Sequence, residues 1–247
     1  IIYQAAHSGA HVSVCFATNG EYASEADAAV RTAESRSVLA ALGVPAEQIY
    51  FLGYPDTGMP YEESFLRRLY DGCRVSASRW GRTETWRPDG QDFHFMRSGC
   101  HSTYTAASVL RDLSDVLALV NPDTVYVTAP GDCHGDHDAL GRFTTQAVAA
   151  MENPPALYYY LIHADRTDIW PERDAERFRL PPMAADHPLL RCAAERRPLP
   201  DGFPPAEKYS LIQSYTSQDP AAYNGYLLAF AKNDELVFRV ERLPSRT

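Results

Sequence analysis

The chain has 247 residues, enough for a full hydrophobic core and most simply one large domain over 1–247, although length alone also allows two small ones. Its formal net charge of −9 is spread along the chain with no Lys/Arg-rich block, which argues against nucleic acid or an anionic membrane surface as the main partner. No apolar stretch approaches the ~20 residues of a membrane-spanning helix, so no membrane span is expected.

The chain starts "IIYQAAHSGAHVSV". Ile1 to Ala6 read as the rest of a helix with Gly9 as its C-cap, so an upstream segment is expected to be missing. "HVSVCFA" (11–17), rich in β-branched and aromatic residues, reads as a strand that stops at Thr18-Asn19-Gly20. Residues 24–42 carry apolar side chains at helical spacing up to Gly43, and "QIYFLG" (48–53) is the next strand, stopping at Tyr54-Pro55-Asp56. Residues 61–105 break the pattern. They hold "RWGRTETWRPDGQDFHFMRSG" and are too long for an ordinary connection, so they read as an insertion over the strand ends, a lid or substrate-shaping loop.

The clearest helix follows, with Ala106, Val109, Leu110, Leu113, Val116, Leu117 and Val120 on one stripe. Then come strand "TVYVTA" (124–129), the motif "PGDCHGDHDALG" (130–141), a helix from about Ala139 to Met151 and strand "LYYYLIH" (157–163). The tail after Pro171 is Pro-rich, then helical in "PPAEKYSLIQSY" and around 221–231, and ends in an edge strand "ELVFRVE". Strands alternating with helices predict an α/β fold: a Rossmann-like, mostly parallel sheet with helices on both faces, binding ligands at the C-terminal ends of its strands. Those ends would present Thr18/Asn19/Glu21, Asp56, His134/Asp136/His137 and His163 on one edge.

His134 and His137 lie three apart where a loop enters a helix, so both imidazoles fall on one side of its first turn. Neutral imidazole is a common metal ligand, and the protonated ring can stabilise an oxyanion. The plain alternative is a solvated capping cluster of Asp132, Asp136 and Asp138 with exposed histidines. Two histidines do not complete a catalytic zinc site, which takes three protein ligands, an open position and a base. No GxSxG, GxxxxGK[ST] or GxGxxG is present. Cys133 has neither a base nor an oxyanion hole marked beside it. The five cysteines form no CxxC pair, Cys73 and Cys100 could pair across the insertion, and a cytoplasmic location is the expectation.

These residues resemble the PIG-L/LmbE-like family of zinc-dependent N-acetylglucosaminide deacetylases. "GAHVSVCFATNGE" is similar to its second strand and TxGE turn, Arg31 with Glu34 to its RxxE helix, and "YFLGYPDTGM" to its FLGYPDG strand end. "VNPDTVYVTAPGDCHGDHDALG" is similar to its PDVVxxxxxxDxHxDH segment, and "KYSLIQSYTSQ" to its tail, with Lys208 opening a helix that leads to Tyr-x-x-Gln. The resemblance implies a Zn2+ cofactor with His137 as a ligand. It implies His134 as the imidazolium that meets the tetrahedral intermediate and Asp136 as the carboxylate that orients and charge-balances it. The other ligands and the base belong to an AHPDD[EA] motif expected upstream of Ile1. Arg31 and Asp56 resemble positions near the sugar, and His163 is a further substrate-side candidate. For Arg31–Glu34 a surface i, i+3 pair, and for Asp56 a turn cap, remain open. His94 and His101 border the insertion and could line a lid. The implied partner is an N-acetylated amino sugar or glycoconjugate, and the Trp-rich insertion favours a bulky natural-product glycoside such as a glycopeptide antibiotic pseudoaglycone. A non-catalytic sugar-binding relative with an incomplete metal site is the alternative from another class.

Overall fold

A computed structural model describes residues 1–59, 61–75, 77–167 and 169–244. The elements run α1 (Ile2–His7), β1 (Val14–Thr18), α2 (Glu25–Ala41), β2 (Ile49–Tyr54), α3 (Phe65–Tyr70), α4 (Phe93–Ser98), α5 (Ala106–Val120), β3 (Thr124–Thr128), α6 (Gly135–Ala150), β4 (Ala156–Tyr160), β5 (Ala193–Pro198), α7 (Pro205–Gln213), α8 (Ala222–Gly225) and β6 (Asp234–Arg239). The α/β alternation read from periodicity is present. α2 starts where Ser24 and Asp27 form a reciprocal capping box, and α5 where the Thr105 hydroxyl takes the Ser108 N–H.

The strands form two sheets. β1 and β2 pair in parallel, and β3-β4-β6-β5 form the second, with β3 and β4 parallel and β6 antiparallel to both its neighbours. Parallel pairing is thus confined to strands joined through a helix, as loop geometry demands. Three expectations are corrected. β6 is an interior strand rather than an edge, because β5 adds outside it. β5, "AAERRP", lay in the stretch read as Pro-rich tail. α6 begins at Gly135, not near Ala139, because His134 is its N-cap and brings "GDHD" onto the first turn.

The apolar stripe of α5 packs with Ala139, Phe143, Ala147 and Val148 of α6, Leu52 and Tyr54 of β2, and Phe65, Leu66 and Leu69 of α3. Each fully buried Leu, Val or Phe among them stabilises the fold by roughly 1.5–3 kcal/mol. A second cluster joins Val127, Leu157, Tyr159, Leu236 and Phe238 to Trp170 and Phe178. The segment 61–105 is therefore part of the core through α3, while its remainder reaches the ends of β1 and β2. No helix among the described residues is long and apolar enough to cross a membrane. Cys73 and Cys100 are both exposed and free.

Candidate functional site

β3 ends at Thr128, and the chain turns through Asp132 into α6. Asp132 is buried at 2% exposure, which overturns its reading as part of a solvated cluster. Its Oδ1 accepts the His134 N–H at 2.9 Å, and its Oδ2 accepts the N–H groups of Ile162 and His163 at 2.9 and 3.1 Å. One carboxylate thus ties the start of α6 to the end of β4. His137 Nδ1 stands 3.3 Å from Asp132 Oδ1. Burial pushes the Asp132 pKa up, but the His137 contact and the His134 N–H outweigh it and hold the carboxyl below its usual range.

This carboxylate gathers three rings. The centroids of His134 and His137 are 4.4 Å apart, those of His137 and His163 5.5 Å, and those of His134 and His163 5.9 Å. Tyr226 stacks behind His163 at 5.4 Å and donates its hydroxyl to the Ile162 carbonyl. His134 Nδ1 accepts the Asp136 N–H at 3.2 Å, so the proton of the neutral ring sits on Nε2. Burial, followed by the charges of His137 and His163, pushes the His134 pKa down to about 3. In this arrangement the resting ring is neutral, with Nε2–H as its donor.

Asp136 also departs from expectation. Its carboxylate turns away from His134, and Oδ1 accepts the Leu66 N–H at 2.7 Å, capping α3. The Asp136 contact with His134 is made by the backbone amide instead. Asp136 Oδ2 is buried with no hydrogen-bond partner among the described residues, and burial, then the charge of Asp56, raise the carboxyl pKa well above its usual value. Gly135 permits this junction, since a Cβ there would stand 2.6 Å from the Ser64 hydroxyl.

A second group of polar residues comes from the ends of β1 and β2, in the other sheet. Glu21 is fully buried, and its Oε2 accepts the Asp56 N–H at 3.2 Å while Oε1 has no hydrogen-bond partner among the described residues. Burial raises its pKa to about 7. Asp56 takes the Gly58 N–H at 2.9 Å through Oδ1 and lies 3.5 Å from Arg31 through Oδ2, so it caps a turn and faces a cation at once. Arg31 and Glu34 do not form a surface pair. With the Gln218 amide oxygen turned toward it, the Arg31 guanidinium donates from Nε at 2.6 Å. Glu34 accepts from the Thr216 hydroxyl and the Ser217 N–H at 2.8 and 2.9 Å. Asn19 joins the inserted segment to the core, donating to the carbonyls of Gly53 and Trp86 and accepting from Arg87. His94 and His101 pair with the buried carboxylates of Asp112 and Asp92.

The structure therefore brings His134, His137 and His163 into one cluster and Arg31 with Asp56 into another. Asp132, Glu21 and Gln218 emerge as the groups that organise them. As for a metal, His137 has the arrangement of a ligand histidine, with Nδ1 beside a buried carboxylate and Nε2 left as the other ring nitrogen. Among the described residues, however, no group of three or more His, Cys, Asp or Glu side chains could hold a metal ion, so they do not by themselves form a complete zinc site.

The fold is similar to that of solved deacetylases. The zinc-inhibited form of teicoplanin deacetylase Orf2 has a TM-score of 0.56 and 15% identity, over 96% of this chain and 90% of that one. A deacetylase–bog complex from the teicoplanin biosynthesis pathway has a TM-score of 0.55 and 14% identity over the same shares. N,N'-diacetylchitobiose deacetylase from Pyrococcus horikoshii, complexed with its inhibitor MPG, has a TM-score of 0.40 and 20% identity over 64% of this chain. The chain spans about half of that protein, 52% of its length. No curated protein sequence matches significantly. Residues 1–148 match the family model described as PIG-L: GlcNAc-PI de-N-acetylase.

Proposed function

The chain belongs to the PIG-L, GlcNAc-PI de-N-acetylase family, and from that premise we propose that it hydrolyses the acetamide of an N-acetylglucosamine-type sugar or glycoconjugate to a free amine and acetate. The observation that carries the reading is the three-histidine cluster held by buried Asp132. Zinc belongs to this reading as the Lewis acid that activates water when bound, with His137 as one ligand. Asp132 fixes the orientation of His137. His134, neutral with its proton on Nε2, is suited to donate to the acetamide oxygen as negative charge develops there. Asp136 acts by positioning, since it locks α3 against α6. Arg31, Asp56 and His163 are assigned to the sugar.

The test uses full-length protein supplied with zinc and an N-acetylglucosaminide, reading acetate release and bound metal. Acetate release with about one zinc per chain is expected, and both should vanish in His137→Ala. Metal and activity retained in that variant would remove His137 from the ligands. Loss of one oxyanion donor in His134→Ala should lower kcat by about 10²–10³-fold with zinc still bound.

A further inference from the structure

The turn that delivers the histidines is gripped at one residue by two side chains that the reaction itself does not use. Between the end of β3 at Thr128 and the start of α6 at Gly135, Gly131 has φ at +93°. Only glycine fits, since a Cβ there would also stand 2.7 Å from His187 Nε2. The Gly131 N–H donates to Asp138 Oδ1 at 2.7 Å, and the Gly131 carbonyl lies 3.1 Å from His187 Nε2. His187 Nδ1 accepts the Leu189 N–H at 3.2 Å, so the neutral ring carries its proton on Nε2 and donates it to Gly131.

Both grips are themselves anchored. Asp138 is 1% exposed, and Arg142 Nε donates to both of its oxygens at 3.0 Å. The Arg67 guanidinium and the Tyr61 hydroxyl, the latter at 3.2 Å, also donate to Oδ2, and Arg67 lies over the Tyr61 ring at 4.3 Å. An acid near a helix start ordinarily caps its own helix, whereas Asp138 reaches back seven residues into the loop. His187 reaches the same glycine across 56 residues of sequence, from the turn before β5. The residue after the gripped glycine is Asp132, which takes the N–H groups of His134, Ile162 and His163 and faces His137.

We propose that Asp138 and His187 are positioning residues that act as a single clamp on Gly131, fixing Asp132 and through it the three-histidine cluster. The inference rests on the deacetylase reading for its effect on rate, and on the geometry of the turn for the clamp itself. The physical reason is leverage. A glycine at positive φ is the freest pivot in this loop, and the peptide units on its two sides are held by one side chain each. Rotation at that pivot moves Asp132 away from its three donors, and the rings it aligns move with it. A displacement near 1 Å among reacting groups costs about 10²-fold in rate. The loss falls on kcat, because the clamp sets reacting groups rather than contacts with the sugar. Because the pivot is fixed only while both jaws hold, removing one frees it and removing the second adds little.

Asp138→Ala, His187→Ala, their double variant and Asp138→Asn test this on zinc-supplied full-length protein. The readouts are acetate release from 4-nitrophenyl N-acetyl-β-D-glucosaminide and backbone amide hydrogen exchange. Each single alanine variant should lower kcat about 10²-fold with KM held within about twofold. The double variant should be no more than about twofold slower than the worse single one, where independent effects would multiply to ~10⁴-fold. Asp138→Asn keeps an oxygen for the Gly131 N–H and should recover most of the kcat lost in Asp138→Ala. The Ile162 and His163 amides, distant in sequence from both substitutions, should exchange roughly tenfold faster in each alanine variant, as loss of one hydrogen bond requires. His187→Ala leaves the ion pairs of Asp138 intact, so its kcat and exchange carry the test alone should Asp138→Ala fail to fold. Losses that multiply, a loss carried by KM, or Ile162 and His163 exchange unchanged in His187→Ala overturns the clamp. Faster exchange of both amides in His187→Ala, with no acetate released even by the wild type, would instead overturn the deacetylase reading and leave the clamp standing.

Discussion

Asp132 and Glu21 are both buried carboxylates that follow strands, β3 and β1, yet the chain holds them in opposite states. Asp132 receives three backbone N–H groups and a histidine, so its negative charge is solvated by the protein and its pKa lies below the usual range. Glu21 accepts the Asp56 N–H on Oε2, and burial outweighs its hydrogen bonds and raises its pKa to about 7. Burial penalises both: the His137 contact and the N–H groups outweigh it at Asp132, and at Glu21 burial remains the largest influence. The Asp132 side is accordingly a fixed anion that organises imidazoles. The Glu21 side is a carboxyl whose charge changes near neutrality, beside the Asp56–Arg31 pair.

The sharpest way to break this contrast is to remove the donors' target. Asp132→Ala leaves the N–H groups of His134, Ile162 and His163 without their acceptor and frees the start of α6 from β4. A loss of about 4 kcal/mol in urea-unfolding stability is expected, since a buried donor left unsatisfied costs ~1–3 kcal/mol. A loss under 1 kcal/mol would mean that Asp132 does not organise the cluster.

The Glu21 side makes a prediction in pH. Its folded pKa of about 7 lies above the 4.5 of a free glutamate, so the folded state binds this proton more tightly. The stability it contributes is full below about pH 4.5 and is lost as pH rises through about 7, amounting to about 3 kcal/mol. Glu21→Gln keeps an oxygen for the Asp56 N–H and removes the titration. The variant should lack this downward slope between pH 5 and 7.5 and exceed the wild type in stability at the upper end. Parallel stability–pH curves for the two proteins would refute the assignment.

Most of the element order was legible: α5 carries clean helical periodicity, α2 only a loose one that leaves Val30 exposed, and β2 and β3 are short apolar runs before turns. The start of α6 was not. Histidine is an unusual N-cap, and Asp138 offered a more conventional one three residues into what is helix. β5 was hidden because "AAERRP" has no apolar face of its own and exists as a strand through its pairing with β6. At the site, sequence spacing located the histidines and a family resemblance gave them roles. The acids were misjudged because their partners are distant in sequence: Asp132 answers to Ile162 and His163, and Asp136 to Leu66. An aspartate among aspartates looks solvated until the fold shows which backbone amides surround it.

The smallest expected effect concerns the cation on the Glu21 side. Arg31 is shared between Asp56, 3.5 Å away, and the amide oxygen of Gln218, while Glu34 holds the turn that carries Gln218 through Ser217 and Thr216. Arg31 is partly exposed, so solvent screens its pairing, and the Gln218 contact serves to aim the guanidinium more than to stabilise the fold. A double-mutant cycle of Arg31→Ala and Gln218→Ala should give a coupling of about 1 kcal/mol in unfolding stability. In the same proteins Gln218→Ala should raise KM severalfold for an N-acetylglucosaminide with little change in kcat, as loss of uniform binding requires. If Gln218→Ala lowers kcat at unchanged KM, Arg31 meets the developing charge rather than the resting sugar. A coupling near zero would show that the turn at Thr216–Gln218 and α2 are neighbours without being partners.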